Sequence, residues 1–426
     1  MRLKRTNIIL ALCLFIWASL LYYTFTTIQI SGNDKSTDID TKLNQLEGGL
    51  SEQFQLNNDM IRTAHKYLLR KEKDIKKGLI IDNIEWKIPV LVFACNRISI
   101  SKCLDKLILY RPNPDKFPII VSQDCNHQET TDVIKKYDQV ILIQQPDQSD
   151  IQVPPKEKKF KGYFKIARHY GWALNQMFFN FNFSTIIVVE DDLEVAPDFF
   201  EYFLGTYPIL QQDPSLWCIS AWNDNGKENL VNLHRPDLLY RTDFFPGLGW
   251  MLTKNTWLEL YSKWPRAYWD DWIRDPAQRR GRSCIRPEIS RTRTFGKIGV
   301  SNGLFFEKHL KFIKLNEDFV PFTKMNLTYL LKDNYDNDFV NAVYQSAVVT
   351  YQDLREEKIT SDGPVRIIYR TKEEYKRRSK MLGLMDDFKS GVPRTAYKGI
   401  VTFHYKGRMV HLAPNMNWKG YDPSWS

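Results

Sequence analysis

Thr185 to Val189 run without interruption into Glu190, Asp191 and Asp192. A stretch of Thr, Ile and Val suits a strand buried on both faces, because β-branched side chains are stiff and pack well on a pleated surface. Three carboxylates at the end of such a strand repel one another unless something positive neutralises them. In open α/β sheets the carboxyl ends of the strands are where ligands bind. A hard divalent cation with oxygen ligands, Mg2+ or Mn2+, would neutralise the acids and could hold a diphosphate at the same time. The competing reading is an ordinary acidic loop with a capping role.

Three further apolar runs, KIPVLVFAC, FPIIVSQDC and QVILIQQ, precede this one and read as buried parallel strands. Between the last two strands Ile166, Tyr170, Leu174, Met177 and Phe178 recur at helical spacing, as a helix covering one sheet face requires. Strand, helix and strand together predict an α/β fold. The chain has 426 residues, 43% hydrophobic and 14% aromatic, which is globular composition with room for two or three domains. FGKIGVSNG, within Thr294 to Lys308, reads as a mobile connection, and GIVTFHYKGRMVHLAP as a hairpin turning at Lys406 and Gly407.

The excess of 60 Lys and Arg over 50 Asp and Glu gives a net charge of +10, spread along the chain with no basic and aromatic interleaving, so no nucleic-acid partner is expected. No Walker A loop, G-x-G-x-x-G, H-E-x-x-H or paired C-x-x-C occurs, which leaves P-loop, dinucleotide and zinc-protease chemistry without support.

Arg2, Lys4 and Arg5 precede a run from Thr6 to Asn33 free of ionisable acids, bases and histidine. It is long enough to span a bilayer, and Tyr22, Tyr23 and Phe25 stand where a cleavage site needs small residues. An uncleaved signal anchor with the rest of the chain lumenal follows from the positive flank. That topology places Cys95, Cys103, Cys125, Cys218 and Cys284 in an oxidising compartment, with at least one thiol unpaired because five is odd. It also gives meaning to the sequons at Asn182 and Asn326. From Ser31 to about Glu85 the chain is a polar stem. Its stripe of Leu43, Leu46, Leu50 and Phe54 admits a weak self-association seam, through stem or anchor.

The segment KWPRAYWDDWIRDP encloses Asp270 and Asp271 among Trp264, Tyr268, Trp269 and Trp272. Sugar faces pack on aromatic rings, and an Asp among them can take a proton from a sugar hydroxyl. The competing reading is a helix start with a capping Asp and core Trp. DFFPGLGW, from Asp243 to Trp250, is a candidate wall of the same pocket.

With VVEDDLEVAPDFF, SAWNDNGK, DFFPGLGW, WDDWIR, CIRPEISRT and GYDPSWS in this order, the chain from about Trp86 to Ser426 resembles the N-acetylglucosaminyltransferase I family, glycosyltransferase family 13. The resemblance implies a GT-A fold, a Rossmann-like nucleotide-sugar lobe with a smaller C-terminal lobe, behind a type II Golgi membrane anchor. The implied organisation is a cytoplasmic tail 1–5, transmembrane anchor 6–30, lumenal stem 31–85, catalytic lobe 86–296, mobile loop 297–309 and C-terminal lobe 310–426.

Carried onto this sequence, the resemblance implies Asp192 as the protein ligand of Mn2+, with Glu190 and Asp191 contacting donor sugar and ribose. Arg97 and Asp124 take the uridine side, His169 the diphosphate, Asp270 the role of general base with Trp269 beside it, and Val300 and Ser301 the loop that orders over the donor. Cys95 with Cys125 and Cys218 with Cys284 match the family's disulfides, leaving Cys103 free. The expected reaction is inverting transfer of GlcNAc from UDP-GlcNAc, in β1,2 linkage, to the α1,3-arm mannose of an oligomannose N-glycan. Two other readings stand beside it: GlcNAc transfer to protein O-linked mannose, and a non-catalytic lectin that would not need metal ligand and base together.

Overall fold

The computed structural model describes residues 15–26, 42–43, 45–46, 48–51, 53–55, 57, 86–297, 299 and 303–425. The chain divides into two compact units, Met1–Glu85 and Trp86–Ser426. In the first, residues 15–26 are helical and exposed, and Leu43, Leu46, Leu50 and Phe54 lie on helical, solvent-facing segments. Among the described residues no helix is long and apolar enough to cross a membrane. The remainder of the expected 6–30 anchor lies outside the described residues, as do Val300 and Ser301.

In the second unit the apolar runs fold as their composition demands. β1 (Val90–Ala94), β2 (Ile119–Gln123), β3 (Val140–Gln144) and β4 (Thr185–Glu190) are parallel, in the order β3-β2-β1-β4. β1, β2 and β4 are buried on both faces because the helices Ile100–Tyr110 and Lys161–Asn175 bring their apolar stripes onto the sheet. Each fully buried Val, Ile or Leu contributes roughly 1.5–3 kcal/mol relative to exposure. β3 is not the buried strand expected: it is the sheet edge, with Ile141 47% exposed. Its side chains are only partly covered, and Gln144 is exposed as well as Ile141.

After the short β5 (Leu193–Val195), the sheet is extended by β6 (Leu216–Ser220), β7 (Leu239–Thr242), β8 (Trp250–Thr253) and β9 (Ser283–Pro287). The full order is β3-β2-β1-β4-β8-β6-β9-β7, and β8 and β7 run antiparallel to their neighbours. The sheet is therefore mixed rather than parallel throughout. β10 (Thr292–Thr294) pairs with β5 in a separate ribbon, setting Thr294 opposite Leu193.

The chain then builds a smaller sheet from β11 (Ala347–Val348) and β12 (Val365–Tyr369). After a two-stranded ribbon, β13 (Phe388–Lys389) and β14 (Val392–Pro393), come β15 (Val401–Tyr405) and β16 (Arg408–Pro414). Its order is β11-β12-β16-β15. The expected hairpin is present: Lys406 and Gly407 turn with φ of 49° and 81°, the left-handed pair that a tight two-residue hairpin needs. This sheet has its own core around Val365, Ile367, Tyr375 and Leu412. Val320, Phe322, Leu327 and Leu330, also beyond the 297–309 loop, pack instead into the core of the first sheet.

Two disulfides pin the main sheet. Cys95 and Cys125, with Cα atoms 5.2 Å apart, join the carboxyl ends of β1 and β2; Cys218 and Cys284, 4.7 Å apart, face each other across β6 and β9. Among the described residues the free cysteine is Cys103, buried under the same sheet.

Candidate active site

The parallel register lays three strand ends side by side, with Phe93 opposite Glu190 and Ala94 opposite Gln123. Hydrogen-bonded strands are only ~5 Å apart, so Arg97, Asp124 and the Glu190–Asp192 trio, each just past one of these ends, gather at one edge. The sequence-predicted residues far apart in the chain are thus brought together by sheet register alone.

The acids are held in a defined pattern. Arg97 Nε donates to Asp191 Oδ1 at 2.9 Å, and its other nitrogen lies 3.4 Å from Asp192 Oδ2. The Cys95 N–H also reaches Asp191. Tyr170 Oη donates to Glu190 Oε1 at 2.7 Å. Burial pushes the Glu190 carboxyl up to about 7, with Asp192 adding to the rise and Tyr170 opposing it. Burial likewise raises Asp191 to about 6 against the pull of Arg97, and raises Asp192 as well. Burial is the largest cause of all three shifts, with neighbouring carboxylates adding to it at Glu190 and Asp191, so the pocket has a deficit of water and of positive charge around these acids.

A divalent cation fits that deficit. Phe295 N–H bonds the Asp192 carbonyl, and a Cβ placed on Gly296 would collide with the Asp192 carboxylate, so a glycine keeps this acid clear. Among the described residues no cluster of three or more His, Cys, Asp or Glu side chains forms a ready metal cage. One protein carboxylate completed by diphosphate oxygens is the arrangement these residues permit.

His169 is 6% exposed, its Nε2 2.8 Å from Ser122 Oγ and its ring edge-on to Phe93. Burial lowers it to about 4, with Asp124 opposing and Arg168 assisting. It is therefore neutral at pH 7 and carries one ring N–H rather than a positive charge. Asp124 is buried and accepts from Gln148 Nε2 at 3.0 Å.

On the short helix Trp269–Arg274 the Asp pair divides the labour with two cations. Arg274 donates to Asp270 at 3.0 Å and to Asp271 at 3.2 Å, while Lys389 meets Asp271 at 2.9 Å. The Asp270 side chain remains 46% exposed, reachable by an incoming hydroxyl. Trp269 does not offer the open ring expected for a sugar: it is 7% exposed, stacked 4.4 Å from Tyr170 and parallel to Trp250 and Trp264. Its packing requirement outweighs display, since a ring this large contributes most when enclosed. The stack continues through Tyr170 to Phe93 on β1, coupling the Asp270 helix to the carboxylate edge.

DFFPGLGW does line this region, Phe245 packing on Trp269 and Phe244 lying under the Arg274 guanidinium. Sequence reasoning missed Tyr170, Arg274 and Gly296. Tyr170 reads as one apolar stripe residue among several. Arg274 had a signal, standing four residues after Asp270 on a helix.

A central sheet that gathers carboxylates at its carboxyl edge, beside a short helix presenting an accessible Asp, is the framework of a glycosyltransferase of the GT-A class. Residues 6–425 match the GNT-I family, and the chain belongs to that family. It is 42% identical over 318 residues to an Arabidopsis thaliana alpha-1,3-mannosyl-glycoprotein 2-beta-N-acetylglucosaminyltransferase, covering 74% of this chain and 70% of the relative.

Solved structures resemble it more distantly. A mannosyltransferase, PcManGT from Pyrobaculum calidifontis in complex with GDP-Man and Mn2+, is 12% identical with a TM-score of 0.29, over 42% of this chain and 47% of that one. S. aureus TarS is 11% identical with a TM-score of 0.32, over 64% of this chain and 47% of its own. The chain thus spans about half the length of each, and likenesses this remote carry no weight below.

Proposed function

We propose that this enzyme transfers GlcNAc from UDP-GlcNAc to the 2-hydroxyl of the α1,3-arm mannose of an oligomannose N-glycan, inverting the anomeric centre to give a β1,2 linkage. The observation that carries the reading is the pairing of two acidic centres of opposite character. One is the buried, charge-rich Glu190–Asp192 edge; the other is the accessible Asp270, fixed by Arg274.

Asp192 is the residue to hold Mn2+, which when bound supplies a Lewis acid for the charge developing on the departing UDP. His169 donates to a diphosphate oxygen as a neutral imidazole. Glu190, held by Tyr170, and Asp191, held by Arg97, orient donor sugar and ribose; Arg97 and Asp124 border the uridine. Val300 and Ser301, outside the described residues, are assigned to the donor side of the site. Asp270 removes the acceptor proton as the hydroxyl attacks from the face opposite UDP, so one displacement inverts the anomer. The anchor reading supports residence as a single-pass type II protein of the Golgi membrane with its catalytic unit lumenal.

The test is incubation of the full chain in detergent with UDP-GlcNAc, Mn2+ and an oligomannose N-glycan, with and without chelator, read by mass and linkage analysis. One HexNAc in β1,2 linkage on the α1,3-arm mannose, abolished by the chelator, is the expected product. Extension of an O-mannosyl peptide alone, or donor binding without transfer, would overturn the acceptor assignment or the catalytic one.

A further inference from the structure

The smaller sheet carries a pocket of about 750 Å³ bounded by β11, the helix Tyr351–Arg355, β12 and the helix Lys372–Leu382. Its twelve lining residues include four arginines, Arg355, Arg370, Arg377 and Arg378, and no Asp, Glu or Lys. None of them belongs to the candidate active site.

The positive charge there is under-compensated. Glu374 Oε2 lies 3.7 Å from Arg378, beyond hydrogen-bond reach, and the same oxygen accepts from the Arg370 backbone N–H at 2.7 Å. The guanidinium groups of Arg355, Arg370 and Arg377 have no ion pair among the described residues. The neighbouring acids are engaged elsewhere: Glu356 with Lys358, Glu357 with Lys406, Asp353 with Thr350. Partial burial holds Arg378 below the usual guanidinium range; Glu374 opposes this, while Arg377 and Arg370 lower it further, as crowded like charges do.

Apart from Thr350 and Gln352, the rest of the wall is aliphatic or aromatic, and part of it is exposed. Val348 is 56% exposed and Met381 45% exposed, and Tyr351 also lines the pocket. β11, which carries Val348, is an edge strand, bonded to β12 on one side only. An edge strand leaves main-chain donors and acceptors free for another chain. Arginine, tyrosine and methionine in one concave patch, with lysine absent, is the composition of a protein interface. Guanidinium forks also match carboxylates in two-bond geometry, which a lysine cannot do.

We propose that this pocket docks an acidic segment of a partner polypeptide, laid in extended form along β11. Its carboxylates meet Arg355, Arg370 and Arg377, and its alternate apolar side chains enter the wall beside Met381. Charge complementarity selects an acidic partner, and the free strand edge selects a polypeptide over a lipid headgroup or free phosphate, neither of which can pair with both the N–H and the C=O groups of a strand.

The probe is a fluorescein-labelled peptide of about eight residues alternating Glu and Val, long enough to lie along one strand edge. It is titrated by anisotropy into the full chain in detergent at low and at physiological salt. Saturable binding is expected, weakened roughly tenfold or more by the double variant Arg370→Glu, Arg377→Glu and by N-methylating alternate peptide amides. The double variant keeps its melting temperature and its transfer of GlcNAc to a free N-glycan. Equal binding of a Lys–Val peptide, or retention of binding by the double variant, overturns the proposal. Insensitivity to N-methylation also overturns it, because the segment would not be on the strand edge. Arginine-dependent binding of phosphatidylserine vesicles, without peptide binding, overturns it in favour of a membrane contact.

Discussion

Arg274 holds Asp270 by a short, oriented contact: Nη1 donates to Oδ2 at 3.0 Å while Nε of the same guanidinium is fixed on the Phe245 carbonyl at 3.0 Å. The arginine is buried and lies over the Phe244 ring, so its position is set by the fold and not by the acid it grips. A half-exposed carboxylate is thereby given one preferred orientation.

Replacing Arg274 with Lys keeps the charge but loses the fork that reaches the Phe245 carbonyl and both acids. Transfer is expected to fall by roughly ten- to a hundredfold in kcat, since small misplacements of a reacting group cost that much. UDP-GlcNAc affinity should change little. Calorimetric donor binding beside steady-state kinetics checks this; an unchanged kcat would remove Arg274 from any positioning role.

Asp270 and Asp192 should fail in different ways. Asp270→Ala is expected to reduce transfer by at least ~10²-fold, the lower bound for loss of a general base, while leaving donor binding nearly intact. Asp192→Asn is expected to remove metal-dependent donor binding itself. Should Asp270→Ala lose donor binding and transfer together, its role as base is wrong.

Gly296→Ala places a methyl against the Asp192 carboxylate. Donor affinity in the presence of Mn2+ should drop by about tenfold, equivalent to 1.4 kcal/mol, and the melting temperature of the donor-free chain should fall as well, because the methyl also comes within 2.6 Å of the Asp192 Cβ and one of the two must shift. Wild-type affinity in this variant would show that the close approach has no bearing on the acid.

The histidine contribution to stability should fall with acid between pH 6.5 and 4, against an opposite contribution from Glu190 and Asp191, whose raised carboxyls bind protons in the folded chain first. His169 and His411 are buried and held near 4, burial being the largest cause for each. The unfolded chain binds these protons near 6.5, so over that window it holds more protons than the folded one and is favoured as pH drops. The stability at stake is fully present above 6.5 and is at most about 3 kcal/mol per histidine, lost progressively toward pH 4. His411→Gln, where Thr402 Oγ1 is bonded to the ring, should raise the melting temperature near pH 4.5 relative to that at pH 7, compared with the same difference in the wild type. A difference identical to that of wild type would count against this account.

Much of the catalytic edge was legible because local pattern forces it. Thr185–Val189 is too β-branched and apolar to be anything but a buried strand, and the acids behind it must then stand at a strand end. The helix over Ile166–Phe178 and the Lys406–Gly407 hairpin follow from period and turn chemistry in the same way. The antiparallel β8 and β7 were not legible, since a four- or five-residue apolar run does not encode its partner or direction. Trp269 was misjudged for a related reason: an aromatic beside an Asp reads the same in sequence whether its faces are open or stacked.

The sequence by itself determined the first four strands, the helix over the sheet, the Lys406–Gly407 hairpin and where the carboxylates fall relative to strand ends, because these depend on side-chain shape and spacing within a few residues. Only the tertiary structure decided that Arg97 shares its charge between Asp191 and Asp192, that Tyr170 holds Glu190, that His169 is neutral, and that four arginines converge beside an open edge strand. Each of these depends on burial and on distances between residues remote in the chain, and neither quantity exists until the sheet has assembled.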